Sequence, residues 1–113
     1  MEEWNSQLRR GVLELCILAL IETEPRYGYD IVTRLGEAPQ LAAGEGTIYP
    51  LLRRLKKDRW VDTFWQESAA GPPRQYYRLS DAGQTVLTSR RSEWQQLVAA
   101  VNGLVGGGNA DHA

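Results

Sequence analysis

Apolar residues recur at helical spacing over residues 5–21, where Leu8, Val12, Leu15, Cys16 and Ala19 form a stripe with no proline to interrupt it. This predicts a long first helix. Its second half is apolar almost all round, because Leu13, Ile17, Leu18, Leu20 and Ile21 widen the stripe, so two faces need cover, one of them from another subunit. Pro25 stops it. Tyr27, Ile31 and Leu35 make the next row, predicting a short second helix over 27–35 that Gly36 closes. After a linker over 37–44, Ile48, Leu51, Leu52 and Leu55 predict a third helix over about 45–59. Its apolar residues lie within an arc of about 100°, with Gly46, Pro50, Arg53 and Lys57 opposite. Tyr49 and Lys56 flank that outer face on one side, Thr47 and Arg54 on the other. Pro50 is tolerable if the first turn begins near Thr47, which sets the N-cap between Gly44 and Thr47.

The period then changes. Residues 60–65 are aromatic and β-branched, 68–73 are rich in turn formers, and 75–79 read Gln-Tyr-Tyr-Arg-Leu, so a two-stranded hairpin is expected. Ser80 is a good N-cap for a last helix carrying Val86, Leu87, Trp94, Leu97, Val98, Val101 and Leu104, which Gly106 to Gly108 end. The order helix, helix, helix, hairpin, helix is that of a winged helix-turn-helix, mainly α with a two-stranded β wing, plus a C-terminal dimerisation helix. Residues 1–79 would form the winged unit with its N-terminal helix, 80–105 the dimerisation helix, and 106–113 a disordered tail.

Length and composition narrow the function. The 113 residues fit one small core, and a chain this short buries only about two-thirds of its unfolded surface, so long helices should look for a partner chain. No run reaches the roughly 20 apolar residues that a membrane helix needs, since Glu14 and Glu22 bound the longest. The first ten residues carry Glu2 and Glu3 and no signal-like apolar region, so a cytoplasmic protein is expected. One cysteine, Cys16, and one histidine, His112, leave little material for a disulfide framework, a metal site or Cys/His catalysis. Neither a metal nor a cofactor is expected. The net charge is only −1, but residues 46–78 carry seven basic against three acidic side chains, while residues 1–45 carry four against eight. Local positive potential gathers phosphates onto one face.

Four segments in order carry a family resemblance: residues 13–21 (Leu-Glu-Leu-Cys-Ile-Leu-Ala-Leu-Ile), 27–31 (Tyr-Gly-Tyr-Asp-Ile), 46–55 (Gly-Thr-Ile-Tyr-Pro-Leu-Leu-Arg-Arg-Leu), and Trp65 with 71–83. Together they resemble the PadR family of transcriptional regulators, in its smaller subfamily, and cover residues 8 to about 100. The resemblance implies a homodimeric, ligand-responsive repressor on an inverted-repeat operator, the last helix of each chain packing on the partner's first helix. It also implies a DNA-binding role for Thr47, Tyr49, Pro50, Arg53 and Arg54. Lys57 is added as a later contact or a residue that only steers association, and Arg74 as a phosphate contact or a residue that solubilises the wing tip. Of Tyr27 and Tyr29, which face different sides, one is expected in the core and the other, Tyr29, near phosphate. Gly28 is read as a close-packing glycine.

In multidrug-responsive members of that family a tryptophan of the last helix lines a pore at the dimer centre. Trp94 falls at the matching place, where it suits a planar aromatic or drug-like effector and a plain helix seam equally. Leu8, Val12, Leu15 and Val98 would complete an apolar wall, and Trp4 would pack over the partner or cover the first helix's start. Cys16, within an apolar stripe, reads as an inert small hydrophobe rather than a redox sensor. The competing function is a winged-helix interaction module whose basic face binds an acidic partner. An enzyme lacks the paired carboxylates, nucleophile sets or phosphate-cradling loop it would need.

Overall fold

The structure, a computed structural model, describes residues 2–106, with side chains from Leu8 onward. The Trp4 side chain and the stretch 107–113, expected as tail, lie outside the described residues. The chain forms α1 (Glu2–Leu20), β1 (Arg26–Tyr27), α2 (Gly28–Gly36), α3 (Glu45–Lys57), β2 (Val61–Ser68), β3 (Gly71–Leu79) and α4 (Asp81–Val105). One cluster of buried side chains holds them: Leu13, Ile17 and Leu18 from α1, Ile31 and Leu35 from α2, the four aliphatics of α3, then Val61, Tyr77 and Leu87. The four α3 residues expected to face inward are all buried. Removing them from water is worth about 6–12 kcal/mol before entropy is counted.

The sheet has three strands rather than two, in the order β1-β3-β2 and antiparallel throughout. β1 pairs Arg26 with Tyr77 and Tyr27 with Tyr76, so Tyr27 lies in a strand where a helix was expected to begin. Two residues are too few to show any period. Their extended path is fixed by Arg26, whose Nε donates to the Leu20 carbonyl at 2.8 Å and whose Nη1 donates to Asp30 at 3.2 Å.

The wing is also longer than expected, because the turn shrinks to Ala69 and Ala70 and strand pairing runs out to Ser68 and Gly71. Between the Gln66–Arg74 and Ser68–Gly71 pairs the register shifts, so one residue, Glu67, spans Pro72 and Pro73. A bulge is where a strand tolerates prolines, which have no N–H for the ladder.

α3 begins where expected and ends earlier. Gly44 is its N-cap and Glu45 its first residue, so Pro50 sits inside the helix and the exposed Gly46 carbonyl lacks its intrahelical donor. At the other end the helix stops at Lys57, two residues early. The amide of Trp60 donates to Leu55 and that of Arg59 to Lys56, closing a Schellman motif with Arg59 at φ 65°. Glycine usually marks such a stop, and an arginine gave no signal.

The same turn anchors α4. Ser80 donates its hydroxyl to the Arg59 carbonyl at 2.7 Å and accepts from the Gly83 amide at 3.0 Å, while its own amide donates to the Trp60 carbonyl. A β-carbon on Gly83 would lie 2.0 Å from that Trp60 oxygen. Gly83 and Leu87 are buried, but further along α4 Trp94, Leu97, Val101, Leu104 and Val105 are exposed. Gly106, left-handed at φ 72°, caps the helix. In urea unfolding, Gly83→Ala is expected to cost about 3 kcal/mol or more. Arg59→Gly, which removes the left-handed strain, should raise stability by about 0.5 kcal/mol.

Candidate nucleic-acid interface

The exposed side of α3 carries Gly46, Pro50, Arg53 and Lys57, all open to solvent as the wheel required, with Thr47 exposed on its flank. Tyr49 is half-buried at the edge of this face, and its position depends on a glycine. A β-carbon on Gly28 would lie 2.5 Å from the Tyr49 ring, so only glycine at the start of α2 lets α3 bring its tyrosine so close. Burial pushes the Tyr49 phenol's pKa up, with Glu45 adding to the shift. Burial also raises that of Tyr77, Tyr49 adding to the effect and Arg53 opposing it. Both phenols are therefore neutral hydroxyls at physiological pH, that of Tyr49 at the edge of the exposed face and that of Tyr77 in the core.

Beside them opens a cleft of about 280 Å³ where α2, α3 and the wing meet, lined by Tyr29, Tyr49, Arg74 and Tyr77 among others. Tyr29 is exposed there, as expected of the tyrosine near phosphate, but Tyr27 is not a core residue. Its ring lies under the Arg74 guanidinium at 4.4 Å and beside Tyr76 at 5.5 Å. Tyr76 in turn stacks on Phe64 at 5.5 Å, and Arg78 covers Phe64 at 4.9 Å. This ladder orients Arg74 over the cleft, and its cation–π contacts contribute roughly 0.5–1 kcal/mol each at an exposed site. Sequence reasoning missed Tyr27 as the seat of Arg74, because strand pairing brings them together across half the chain. It also missed Trp65, which stands 68% exposed on the wing.

Arg54 is placed differently from the other basic residues of α3. Its guanidinium, exposed on the flank that it shares with Thr47, turns to Glu14 of α1, 3.6 Å away. Glu14 also meets Arg90 of α4 at 3.4 Å, and Arg90 lies over the Trp60 ring at 4.7 Å. A charged residue in the apolar run of α1 was the signal for this carboxylate. Glu22 forms a second tie to α4, accepting from Arg91 at 2.6 Å and from Gln84 at 3.0 Å. These bonds lower the Glu22 pKa, Arg91 being the larger cause. What this pair contributes to stability is in place above the ordinary glutamate pKa and is lost as acid protonates the carboxylate.

The expected ligand residues are brought together in part. Leu8, Val12, Leu15 and Trp94 line one groove of about 440 Å³ between α1 and α4, with Arg90 and Leu97. Val98 is half-buried on α4 but not in that wall. Burial raises the Cys16 pKa, which disfavours the reactive thiolate.

Three helices with a basic exposed third helix, a hairpin beside it and a protruding fourth helix define a winged-helix nucleic-acid-binding protein. Residues 17–89 match the Transcriptional regulator PadR-like family, and the chain belongs to it. A PadR-like transcription factor structure from Bacteroides fragilis shares 43% identity over 90% of this chain and 98% of its own, with a TM-score of 0.74. A PadR-like transcriptional regulator from Bacillus cereus shares 38%, over 89% and 98%, with a TM-score of 0.81. A PadR family regulator from Eggerthella lenta shares 32%, over 96% and 93%, with a TM-score of 0.79. A protein of Lysinibacillus sphaericus is 30% identical over 82% of this chain and 87% of its own. The family and its solved members are transcriptional regulators, generally not enzymes, and no described helix is long and apolar enough to cross a membrane.

The Gly28–Tyr49 approach is testable by a double-mutant cycle. Gly28→Ala should cost about 1–3 kcal/mol in urea unfolding. In a Tyr49→Leu background most of that cost should vanish, and equal costs in both backgrounds would show that the two residues are not coupled.

Proposed function

We propose that the chain is a repressor that binds an inverted-repeat operator as a homodimer and leaves it when a small effector binds. One observation carries the DNA reading: Arg53, Thr47 and Lys57 stand exposed on one side of α3, flanked by Tyr49 and the ring-seated Arg74 across a shared cleft. An acidic protein partner would need positive charge but not a protruding helix with a cationic wing beside it. Thr47, Tyr49 and Arg53 are assigned to the major groove, with Pro50 in apolar contact there. Arg74, Tyr29 and Lys57 are assigned to phosphates. Such a regulator works in the cytoplasm, where its operator is.

The exposed ridge of Leu97, Val101 and Leu104 on α4 supports the dimer, since a small chain rarely leaves an apolar ridge uncovered. A two-fold pairing of the ridges, each on the partner's α1, would set two α3 helices about one turn of duplex apart. The groove beside Trp94 supports the effector reading. A flat apolar ring, 41% exposed, over an aliphatic floor fits a planar aromatic compound. Residues 1–79 then read DNA, while 80–105 join the chains.

The deciding experiment is a fluorescence-anisotropy titration of an inverted repeat from the protein's own promoter. Affinity should fall steeply between 50 and 200 mM salt, and Arg53→Ala should weaken it about tenfold or more. Equal affinity in wild type and variant would remove the assignment of α3. Sedimentation should show a dimer that Val101→Glu dissociates. A planar dye should quench intrinsic fluorescence, and Trp94→Ala should abolish the quenching; an undiminished signal would remove the effector site.

A further inference from the structure

Glu14 is the one buried charged side chain among the described core residues, 7% exposed in an otherwise apolar part of α1. Its two carboxylate oxygens serve two elements. One meets Arg90 of α4 at 3.4 Å and the other Arg54 of α3 at 3.6 Å. Both arginines reach water, Arg54 with 62% of its side chain exposed. Arg54 also shares a helical row with Thr47 and Pro50, seven and four residues before it, so an extended Arg54 lies on the flank of the DNA-facing side.

We propose that Glu14 is a positioning residue that withholds Arg54 from DNA, and that Arg90 sets how firmly it does so. One carboxylate and two guanidiniums compete. While Arg90 shares the carboxylate, Arg54 is held by part of one negative charge and can exchange it for a phosphate. When Arg90 is drawn away, Arg54 becomes the main counter-charge of a carboxylate buried away from water, and leaving it becomes costly. Since Arg90 also lines the groove beside Trp94, whatever repositions α4 there changes the cation available to DNA. The inference rests on the reading of α3 as the DNA-facing helix.

The test is the salt dependence of operator binding. Glu14→Gln keeps the shape and an amide oxygen and leaves both arginines solvated, so a folded protein is expected, checked by its circular dichroism melt. Freeing Arg54 should tighten binding at low salt and steepen the salt slope by about one per bound subunit, a further threefold loss per subunit between 50 and 200 mM. Glu22→Gln makes the same charge change at the Arg91 pair and should leave the slope unaltered. Arg54→Gln should change the wild-type slope little but erase the gain in the Glu14→Gln protein. Arg90→Met should weaken binding severalfold, and Glu14→Gln placed on top of it should restore binding.

A Glu14 residue with a merely structural role would give weaker binding with an unaltered slope, and that result overturns the proposal, as does an equal gain from Glu22→Gln. Should Glu14→Gln fail to fold, the Arg54→Gln and Arg90→Met arms decide: a full phosphate's worth of slope lost from wild type on Arg54→Gln, or unchanged affinity in Arg90→Met, rejects the competition. Absence of operator binding by every variant, wild type included, instead removes the reading of α3.

Discussion

The arrangement depends on α3 burying Ile48, Leu51, Leu52 and Leu55 in the same cluster as Leu13, Ile17 and Leu18 of α1. A helix with four aliphatic residues on one arc has a single low-energy rotation about its axis, because a turn of 100° would carry most of them towards water and a lysine or arginine towards the core. Rotation fixed from inside fixes the outside as well. Arg53 and Lys57 are presented to solvent because their neighbours cannot be. The interior of α3 therefore specifies its exterior, and a change in the core is a change in the address of each basic side chain.

Where the sequence pattern determined the answer, it did so through periodicity and side-chain class. The stripes of α1 and α3, the cap at Ser80 and the aromatic and β-branched run of the wing are local facts, visible within a dozen residues. The features that escaped are non-local or lack a residue signature. β1 is two residues held by an arginine that reaches back to Leu20. The Schellman stop of α3 uses Arg59, and the wing absorbs its prolines in a bulge instead of a loop. Arg54 and Arg53 are adjacent and chemically identical, and the wheel sets them only a step apart, outer face against flank. Only the arrival of Glu14 from another helix gives Arg54 an ion-pair partner while it stays exposed.

Glycine and tyrosine divide the work at the cleft in the same non-local way. Gly28 has no conformational role there; it makes room. By lacking a side chain it lets Tyr49 wedge between α2 and the sheet, so the third helix, the second helix and the wing meet at one ring. Tyr27 extends that contact outward by seating Arg74. A wing is a two-stranded lever and would flex if only its base were held. Here aromatic and cationic groups brace its outer face from Arg78 to Arg74, which shortens the free part to the bulge and the Ala69-Ala70 turn.

The fourth helix leaves the core after Leu87 and carries its apolar residues into solvent, while its basal turns are tied down by Ser80, Gly83, Arg90 and Arg91. A rigid base and an unpartnered end make α4 a lever arm about 37 Å long, as its 25 residues require. A small rotation at the far end must then be taken up at the base. The groups there are the carboxylates of Glu14 and Glu22, and hydrogen-bonded charge pairs shift with less strain than packed aliphatics do. The winged core stays one solid body because its interior is aliphatic. The joint between that body and the arm is ionic around buried Leu87, one acid, Glu14, lying in the first helix and the other, Glu22, just past its end.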